Sequence, residues 1–191
     1  MFKIRKFPAD KVFFTADTHF GHSNIITYCR RPFRDIDEMD EALVRNWNSV
    51  VSADSIVFHC GDFGLGKILR LKEIRERLNG EIYLVMGNHE FRQTNTYFEM
   101  FAEVAMQMCI EVDCHRIYLN HYPFLCFSGS NRRDVWQLFG HVHSRDAASG
   151  NDITRLRNLF PNQLDVGVDN NNFCPLSFRQ VQEKIQKQFG K

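Results

Sequence analysis

The sequence has no long apolar run and almost no excess charge, and each absence excludes a class of protein. Its apolar runs fall far short of the roughly 20 residues that a membrane-spanning helix needs, so we expect no membrane partner. There are 24 Lys and Arg against 23 Asp and Glu, and the formal net charge of +1 provides no overall field that would attract nucleic acid or anionic lipid.

Signals of secretion and of several domains are also missing. The six cysteines form no CxxC pair, and at 191 residues the chain is larger than most domains that depend on disulfides, so we expect reduced thiols. The first residues lack the apolar stretch of a secretory signal, which favours a cytoplasmic protein. No repeat or low-complexity linker divides the chain, and its length predicts a single domain over residues 1–191. The sequence does not indicate the oligomeric state.

Short strand-like runs recur along the chain, and most of them end in a carboxylate or an imidazole. The runs are KVFFTADTH, SIVFHCGD, EIYLVMGNH, RIYLNHYP, WQLFGHVH and QLDVGVD. Between the early runs, residues 37–50 and 66–79 place apolar side chains along one helical face. Strands that alternate with helices predict βαβ units, a parallel sheet in the first half and an α/β fold class.

The second half of the chain has a different pattern. The runs VAMQMCIEVD and RIYLNHY are separated by only a few residues, which predicts a hairpin between about residues 103 and 123. Residues 178–189 predict a final amphipathic helix. The polar segments 128–134 and 144–158 are candidate mobile loops.

The polar residues at the strand ends share one explanation, which is metal. They include six of the eight histidines and are Asp17, His19, His22, Asp62, Asn88, His89, His121, His141 and His143. A single histidine at a strand end is usually structural, but chance does not readily place so many imidazoles and carboxylates at successive strand ends. Ligands gather at the carboxyl ends of strands in open α/β sheets.

The ligand types narrow the choice of metal. Imidazole with carboxylate and amide oxygen suits first-row divalent ions, whereas an all-oxygen cage suits Mg²⁺ or Ca²⁺ and thiolates suit structural zinc. We therefore expect Mn²⁺, with Fe, Zn²⁺ or Ni²⁺ as alternatives. The good ligands exceed the four of a closed zinc site, so two ions that share a bridging group fit better than one. Asp62, between two other ligand motifs, is the natural bridge.

Five motifs in order resemble the calcineurin-like metallophosphoesterases. They are DTHFGH at 17–22, Gly61-Asp62, GNHE at 87–90, His121 in NHYP, and GHVH at 140–143. The resemblance covers about residues 13–143 and extends to DVGVD at 165–169. It is strongest to compact prokaryotic and phage members, which have a similar opening motif and an Arg-Pro-Phe soon after it, here residues 31–33.

The resemblance implies a fold and a ligand set. The fold is a four-layer α/β/β/α sandwich of two mixed sheets with a two-metal centre at one edge. The first ion would be held by Asp17, His19 and His143, Asp62 would bridge, and the second ion would be held by Asn88, His121 and His141. His89 would face substrate and assist the leaving group. Many relatives have aspartate where this chain has Glu90, which leaves a contact between Glu90 and His89 open.

These residues predict a metal-dependent phosphohydrolase that cleaves phosphodiester or phosphomonoester bonds with a metal-activated water, Asp62 and His89 being the catalytic residues. We expect a small phosphorylated substrate, contacted by His22 and Arg92. A nuclease of the same superfamily is one alternative, although the chain shows no basic stripe. A catalytically silent metal-binding scaffold is another, and the presence of His89 argues against it.

The remaining candidates have more ordinary interpretations. His59 and Cys60 are expected in the core, and His115 is expected to be exposed in the hairpin turn. Asp169 either orients a ligand histidine or forms a turn. The arginines near the site loops are expected to be mostly solvated surface charge, with Arg92 the strongest candidate for a phosphate contact; the others are Arg31, Arg132 and Arg133.

Overall fold

The computed structural model describes residues 4–144 and 156–190, and within them ten strands form two five-stranded sheets. The strands of the first sheet are β2 (Val12–Thr15), β3 (Ile56–His59), β4 (Glu81–Val85), β5 (Glu103–Ala105) and β10 (Leu176–Ser177). Their order is β10-β2-β3-β4-β5, and all pairs are parallel except β10 with β2. The carboxyl ends of β2, β3 and β4 therefore meet at one edge.

The second sheet contains the hairpin. Its strands are β1 (Arg5–Phe7), β6 (Met108–Val112), β7 (His115–Leu119), β8 (Val135–Phe139) and β9 (Gln163–Asp165). Their order is β1-β6-β7-β8-β9, with β6 and β7 antiparallel and the other pairs parallel. The predicted α/β class with two mixed sheets is confirmed.

The long helices are those that the periodicity predicts. The helices are α1 (Asn24–Tyr28), α2 (Ile36–Val50), α3 (Ile68–Arg77), α4 (Asn95–Phe98) and α5 (Phe178–Phe189). Asp35 caps α2 by accepting from the backbone N–H of Glu38, and Ser177 with Gln180 forms a capping box on α5. No helix in the described ranges is long and apolar enough to cross a bilayer.

Neighbouring residues of the first sheet face two separate cores. Phe14 and Phe58 point into the space between the sheets, where they pack with Ile110. Val57 and Ile82 point the other way, into the core that α2 and α3 cover. This alternation explains why the strands of this sheet are apolar on both faces.

The outer face of the second sheet is covered by residues 124–127, which have no regular secondary structure. Phe124 donates its backbone N–H to Gln137 on β8 and accepts from the Gln163 amide on β9. Phe127 packs on Tyr118 of β7. Among the residues that the structure describes, no long helix lies between β7 and β8, where this segment runs. The predicted loop 128–134 follows the segment and also has no regular secondary structure.

The hairpin prediction is right in place and wrong in extent. Residues 104–113 are not one strand, because the chain leaves the first sheet after Ala105 and enters the second at Met108. The turn is the pair Asp113 and Cys114, both with positive φ as a tight two-residue hairpin loop requires. His115 is not free in that turn; it begins β7, half-buried, with its ring 4.1 Å from that of Trp136. Of the predicted mobile loop 144–158, residues 145–155 lie outside the described residues.

Candidate metal centre

The loops that leave β2 and β3 run side by side and carry the first predicted ligands. The backbone N–H of Asp17 donates to the carbonyl of Gly61, and that of His19 donates to the carbonyl of Asp62, both at 3.0 Å. The backbone is left-handed at five of the predicted ligands: Asp17, His19, Asp62, His141 and His143, with φ from +42° to +72°. This region is uncommon for residues other than glycine, and strained residues cluster at functional sites. These turns direct the five side chains out of the sheet edge.

Four groups of potential metal ligands occur among the described residues, and two of them correspond to the two predicted ion sites; the others are His19 with His22 and His89, and Cys29 with His143 and Asp169. The two that correspond to the predicted ion sites are Asp17, His19 and His143, and Asp62, His121 and His141, and in each of them the potential ligand atoms lie within 4.8 Å of one another. Asn88 joins the second group, with its Oδ1 3.2 Å from the Nε2 of His121. The structure therefore brings together all seven residues that the sequence nominates as ligands.

The Asp62 carboxylate lies between the two groups. Its Oδ2 is 3.7 Å from the Nε2 of His19, a member of the first group, and 3.4 Å from the Nε2 of His121, a member of the second. Burial acts to raise the pKa of Asp62, but the hydrogen bond and charge of His121 hold it below its ordinary value. Asp62 is therefore an ionised oxygen donor in reach of both groups.

Two of the proposed ligand histidines are oriented by an oxygen that contacts their Nδ1. The Nδ1 of His121 is 2.9 Å from the carbonyl oxygen of Cys60, and that carbonyl can only accept a hydrogen bond. The Nδ1 of His143 is 2.7 Å from Asp169 Oδ2. In both rings Nδ1 is fixed by an oxygen, the arrangement usual for histidines that bind metal through Nε2. The Nε2 of His121 lies against two other proposed ligands, Asn88 and Asp62.

The buried Nε2 of His19 has no hydrogen-bond partner. Burial lowers the pKa of His19 well below its ordinary value, so the imidazole is neutral. A buried polar atom without a partner costs about 1–3 kcal/mol, and a cation beside Asp62 would satisfy it. The donor set and this unpartnered nitrogen fit a divalent ion.

Asp17 is fully buried, and its two oxygens accept the backbone N–H of His141 at 3.0 and 2.9 Å. Burial raises its pKa to about 7. Gly140 permits the close approach of its own segment to the loop that contains Asp17, because a Cβ at position 140 would lie 2.6 Å from Asp17 Oδ2. The glycine of GHVH is thus required by the position of the carboxylate.

Arg31 joins the loop after β2 to Asp169, in the turn after β9, so the prediction of a solvated surface charge is wrong. Its side chain is 0% exposed and forms a bidentate pair with Asp169, with both contacts at 2.8 Å. It also donates to the backbone carbonyls of Asp17 at 2.7 Å and Thr18 at 2.9 Å. Asp169 in turn accepts from His143, so the interpretation of Asp169 as a residue that orients a ligand histidine is supported.

Glu90 organises the turns on either side of it. It accepts the backbone N–H groups of Asp62 at 2.9 Å, Phe63 at 3.0 Å and Gly87 at 2.6 Å, and the hydroxyl of Tyr97 at 3.1 Å. Burial raises its pKa, with Asp62 acting in the same direction. Among the described residues its hydrogen bonds do not include the His89 imidazole, which answers the question that the sequence left open.

A cleft of ≈470 Å³ opens beside the two groups. Its lining is His19, His22, Ile25, Tyr28, Cys29, Asp62, Asn88, His89, His141, Val142 and His143. His89 Nε2 is 3.7 Å from Asp62 Oδ2, and its backbone N–H donates to Asp62 Oδ1 at 3.0 Å. The structure thus places His89 and His22 in one cleft with the two groups.

The other predicted residues lie away from the cleft lining. Arg92 is the last residue of a short 3₁₀ turn, Glu90–Arg92. Glu90 is buried in this turn, whereas Arg92 is exposed. His59 is fully buried with its Nε2 3.0 Å from the Thr18 hydroxyl, and burial lowers its pKa to about 3. Cys60 is also fully buried, so both of these residues belong to the core as predicted.

Comparisons with known proteins agree with this geometry. A family model described as "Calcineurin-like phosphoesterase" matches residues 10–169. The chain is 33% identical over 179 residues to the uncharacterized protein MJ1445 of Methanocaldococcus jannaschii, covering 93% of this chain and 92% of that one. It is 27% identical over 185 residues to the gene 66 protein of Mycobacterium phage L5, covering 82% and 85% of the two chains.

A solved structure shares the fold. The crystal structure of AQ665 from Aquifex aeolicus, a protein of unknown function, matches with a TM-score of 0.68 at 23% identity and covers 90% of this chain and 97% of that one. The family match spans every residue of the two ligand groups. The chain belongs to the calcineurin-like phosphoesterase family, whose members hydrolyse phosphoesters with the help of metal ions.

Proposed function

We propose that this protein is a dinuclear metallophosphoesterase that hydrolyses small phosphorylated substrates, with phosphodiesters and phosphomonoesters both within its chemistry. Asp17, His19 and His143 would hold the first ion, and Asn88, His121 and His141 would hold the second. Asp62 would bridge them. Mn²⁺ is the ion that we expect, since imidazole, carboxylate and amide oxygen together suit first-row metals.

The observation that carries the proposal is the position of Asp62 between the two groups, 3.4 Å from a nitrogen of one and 3.7 Å from a nitrogen of the other. A carboxylate oxygen in reach of imidazole nitrogens on both sides stands where a ligand shared by two cations would stand. The buried Nε2 of His19, which faces Asp62 and has no hydrogen-bond partner, would likewise be satisfied by a cation.

The chain's own residues would divide the work of hydrolysis. When bound, two divalent ions would neutralise phosphoryl oxygens and lower the pKa of water. The oxygen of a water would bond to phosphorus as the bond from phosphorus to the leaving oxygen breaks. The water would lose its proton to solvent, and His89, which lies in the cleft beside Asp62, would donate a proton to the leaving oxygen and regain one from solvent.

Substitution of Asp62 tests the bridge. In Asp62→Asn, we expect the rate of Mn²⁺-dependent cleavage of bis(p-nitrophenyl) phosphate to fall more than about 100-fold. Mutation of a residue that only hydrogen-bonds a metal ligand already lowers metal affinity or activity by about 10- to 100-fold, and Asp62 would be a ligand itself. The matched control is Asp37→Asn, which alters an exposed carboxylate on α2. Undiminished turnover in Asp62→Asn would refute the proposal.

His89 is tested with leaving groups of different acidity. General acid catalysis contributes about 10²- to 10⁴-fold, and an acidic phenol needs it least. We expect His89→Asn to lose far more activity on an alkyl ester than on a p-nitrophenyl ester. Equal losses on both esters would show that His89 does not protonate the leaving group. His115→Asn, which alters a half-buried histidine outside the cleft lining, is the control.

A further inference from the structure

Three of the residues that line the cleft beside the ligand groups are apolar or aromatic, and together they form its apolar wall: Ile25, Tyr28 and Val142. The rest of the lining is polar and consists of the imidazoles, amide and carboxylate described above, His22 and the thiol of Cys29. One continuous cavity therefore offers a site for a phosphoryl group and, directly beside it, an apolar wall.

Tyr28 is the unusual residue of this wall. It is 66% exposed, although it is a large aromatic side chain on the short helix α1. Its one ring contact within the described residues is to His22, 6.4 Å away and nearly perpendicular at 77°. The ring of Tyr28 is therefore stacked on none of the described rings while it lines a cavity.

The cavity is larger than a phosphoryl group alone requires. Clefts of about 300–1,000 Å³ accommodate molecules of drug size. At ≈470 Å³, this cleft has room for a ring system in addition to a phosphate. An organic group attached to a phosphorus atom between the two ligand groups can reach the apolar wall without leaving the cleft, because the same cavity is lined by both.

We propose that the substrate carries a nucleobase that stacks on Tyr28 while its phosphoester lies between the ligand groups. This inference rests on the proposed function and specifies its substrate class. Every base has a π-face, so an exposed tyrosine ring accepts it without regard to base identity. A formal net charge of +1 favours a short nucleotide over a polymer.

The test compares substrates with and without a base. The pair is the methyl phosphodiester of adenosine 5′-phosphate and the corresponding methyl phosphodiester of ribose 5-phosphate, both with Mn²⁺. Base stacking of the usual strength predicts that Tyr28→Ala lowers kcat/KM for the adenosine ester by about 5- to 150-fold and leaves the ribose ester unchanged. Tyr28→Phe keeps the ring and should behave like the wild type, whereas Tyr28→Leu keeps apolar bulk without a π-face and should behave like alanine.

Binding without turnover separates this inference from the proposed function. Calorimetric titration of the phosphonate analogues of AMP and of ribose 5-phosphate, whose P–C bond is not hydrolysed, into the Mn²⁺-loaded protein should show tighter binding of the AMP analogue, with the difference removed in Tyr28→Ala. That result supports the stacking site even if neither ester is cleaved, in which case the proposed function alone fails. Equal affinity for the two ligands, or an equal loss for both in Tyr28→Ala, overturns the inference whatever the turnover.

Discussion

Loss of the Arg31 side chain should damage both the stability of the protein and its affinity for metal. Arg31→Ala removes five hydrogen bonds: two to the buried Asp169 carboxylate, two to the carbonyls of Asp17 and Thr18, and one to the Met39 sulfur. Each buried acceptor left without a partner costs about 1–3 kcal/mol, and removal of one member of a buried ion pair costs about 3–5 kcal/mol. Because His143 still bonds to Asp169, we expect a loss of about 3–5 kcal/mol and not the full sum.

The expected effect on metal binding follows from the same contacts. Asp169 orients His143, and Arg31 fixes Asp169, so the first group loses the support of its histidine. Loss of such a partner typically lowers metal affinity by about 10- to 100-fold. Arg31→Lys retains the charge but not the planar fork, so it should restore part of the stability and little of the bidentate geometry.

Two measurements check this prediction. Urea denaturation of the metal-free proteins gives the free energy of unfolding, and calorimetry with Mn²⁺ gives the affinity. Arg77→Ala is the matched control, because Arg77 also pairs with a carboxylate through two nitrogens but is 46% exposed, and an exposed pair contributes at most about 1 kcal/mol. If Arg31→Ala is destabilised yet binds Mn²⁺ with unchanged affinity, the positioning role is refuted. If it is as stable as Arg77→Ala, the energetic reasoning itself is wrong.

Three further predictions concern the surroundings of the ligands. Gly140→Ala should cost about 1–3 kcal/mol by overpacking and weaken Mn²⁺ binding, because the new Cβ would lie 2.6 Å from Asp17 Oδ2; unchanged affinity in calorimetry would contradict this. Glu90→Gln should cost about 1–3 kcal/mol in urea denaturation, because an amide cannot accept from all three backbone N–H groups; wild-type stability would contradict it. Metal loading near pH 7 should release about two to three protons, because three of the proposed ligands are partly or fully protonated at that pH. Burial raises the pKa of Asp17 to about 7. Burial acts to lower the pKa of His121 and of His143, but neighbouring carboxylates outweigh it and raise these pKa values to about 9 and about 11. Apparent affinity should therefore rise with pH, and a binding heat independent of buffer ionisation enthalpy would contradict that.

Part of the ligand set was predictable because its signal is local. Asp17 and Asp62 each follow an apolar run, and parallel strands bring their carboxyl ends together, so the two could be nominated as neighbours from the sequence. His121 follows a strand of the second sheet, and its place among the ligands came from the resemblance to the family. The core positions of His59 and Cys60 were predictable, since both lie inside an apolar run.

The supporting contacts were not predictable because they join distant parts of the chain. Arg31 and Asp169 are 138 positions apart, and nothing near either residue indicates the other. The role of Glu90 depends on N–H groups that become available only when the turns after β3 and β4 are adjacent. The step of the chain from one sheet to the other between β5 and β6 leaves no break in hydrophobicity, so residues 104–113 read as a single strand.

The most direct test of this account is a crystal structure of the protein soaked in Mn²⁺, with anomalous diffraction used to locate the metal. Two peaks about 3.5–4 Å apart, with the Asp62 carboxylate between them and His19 Nε2 facing one of them, are the predicted result. A single peak, or two peaks that do not share Asp62, would contradict it.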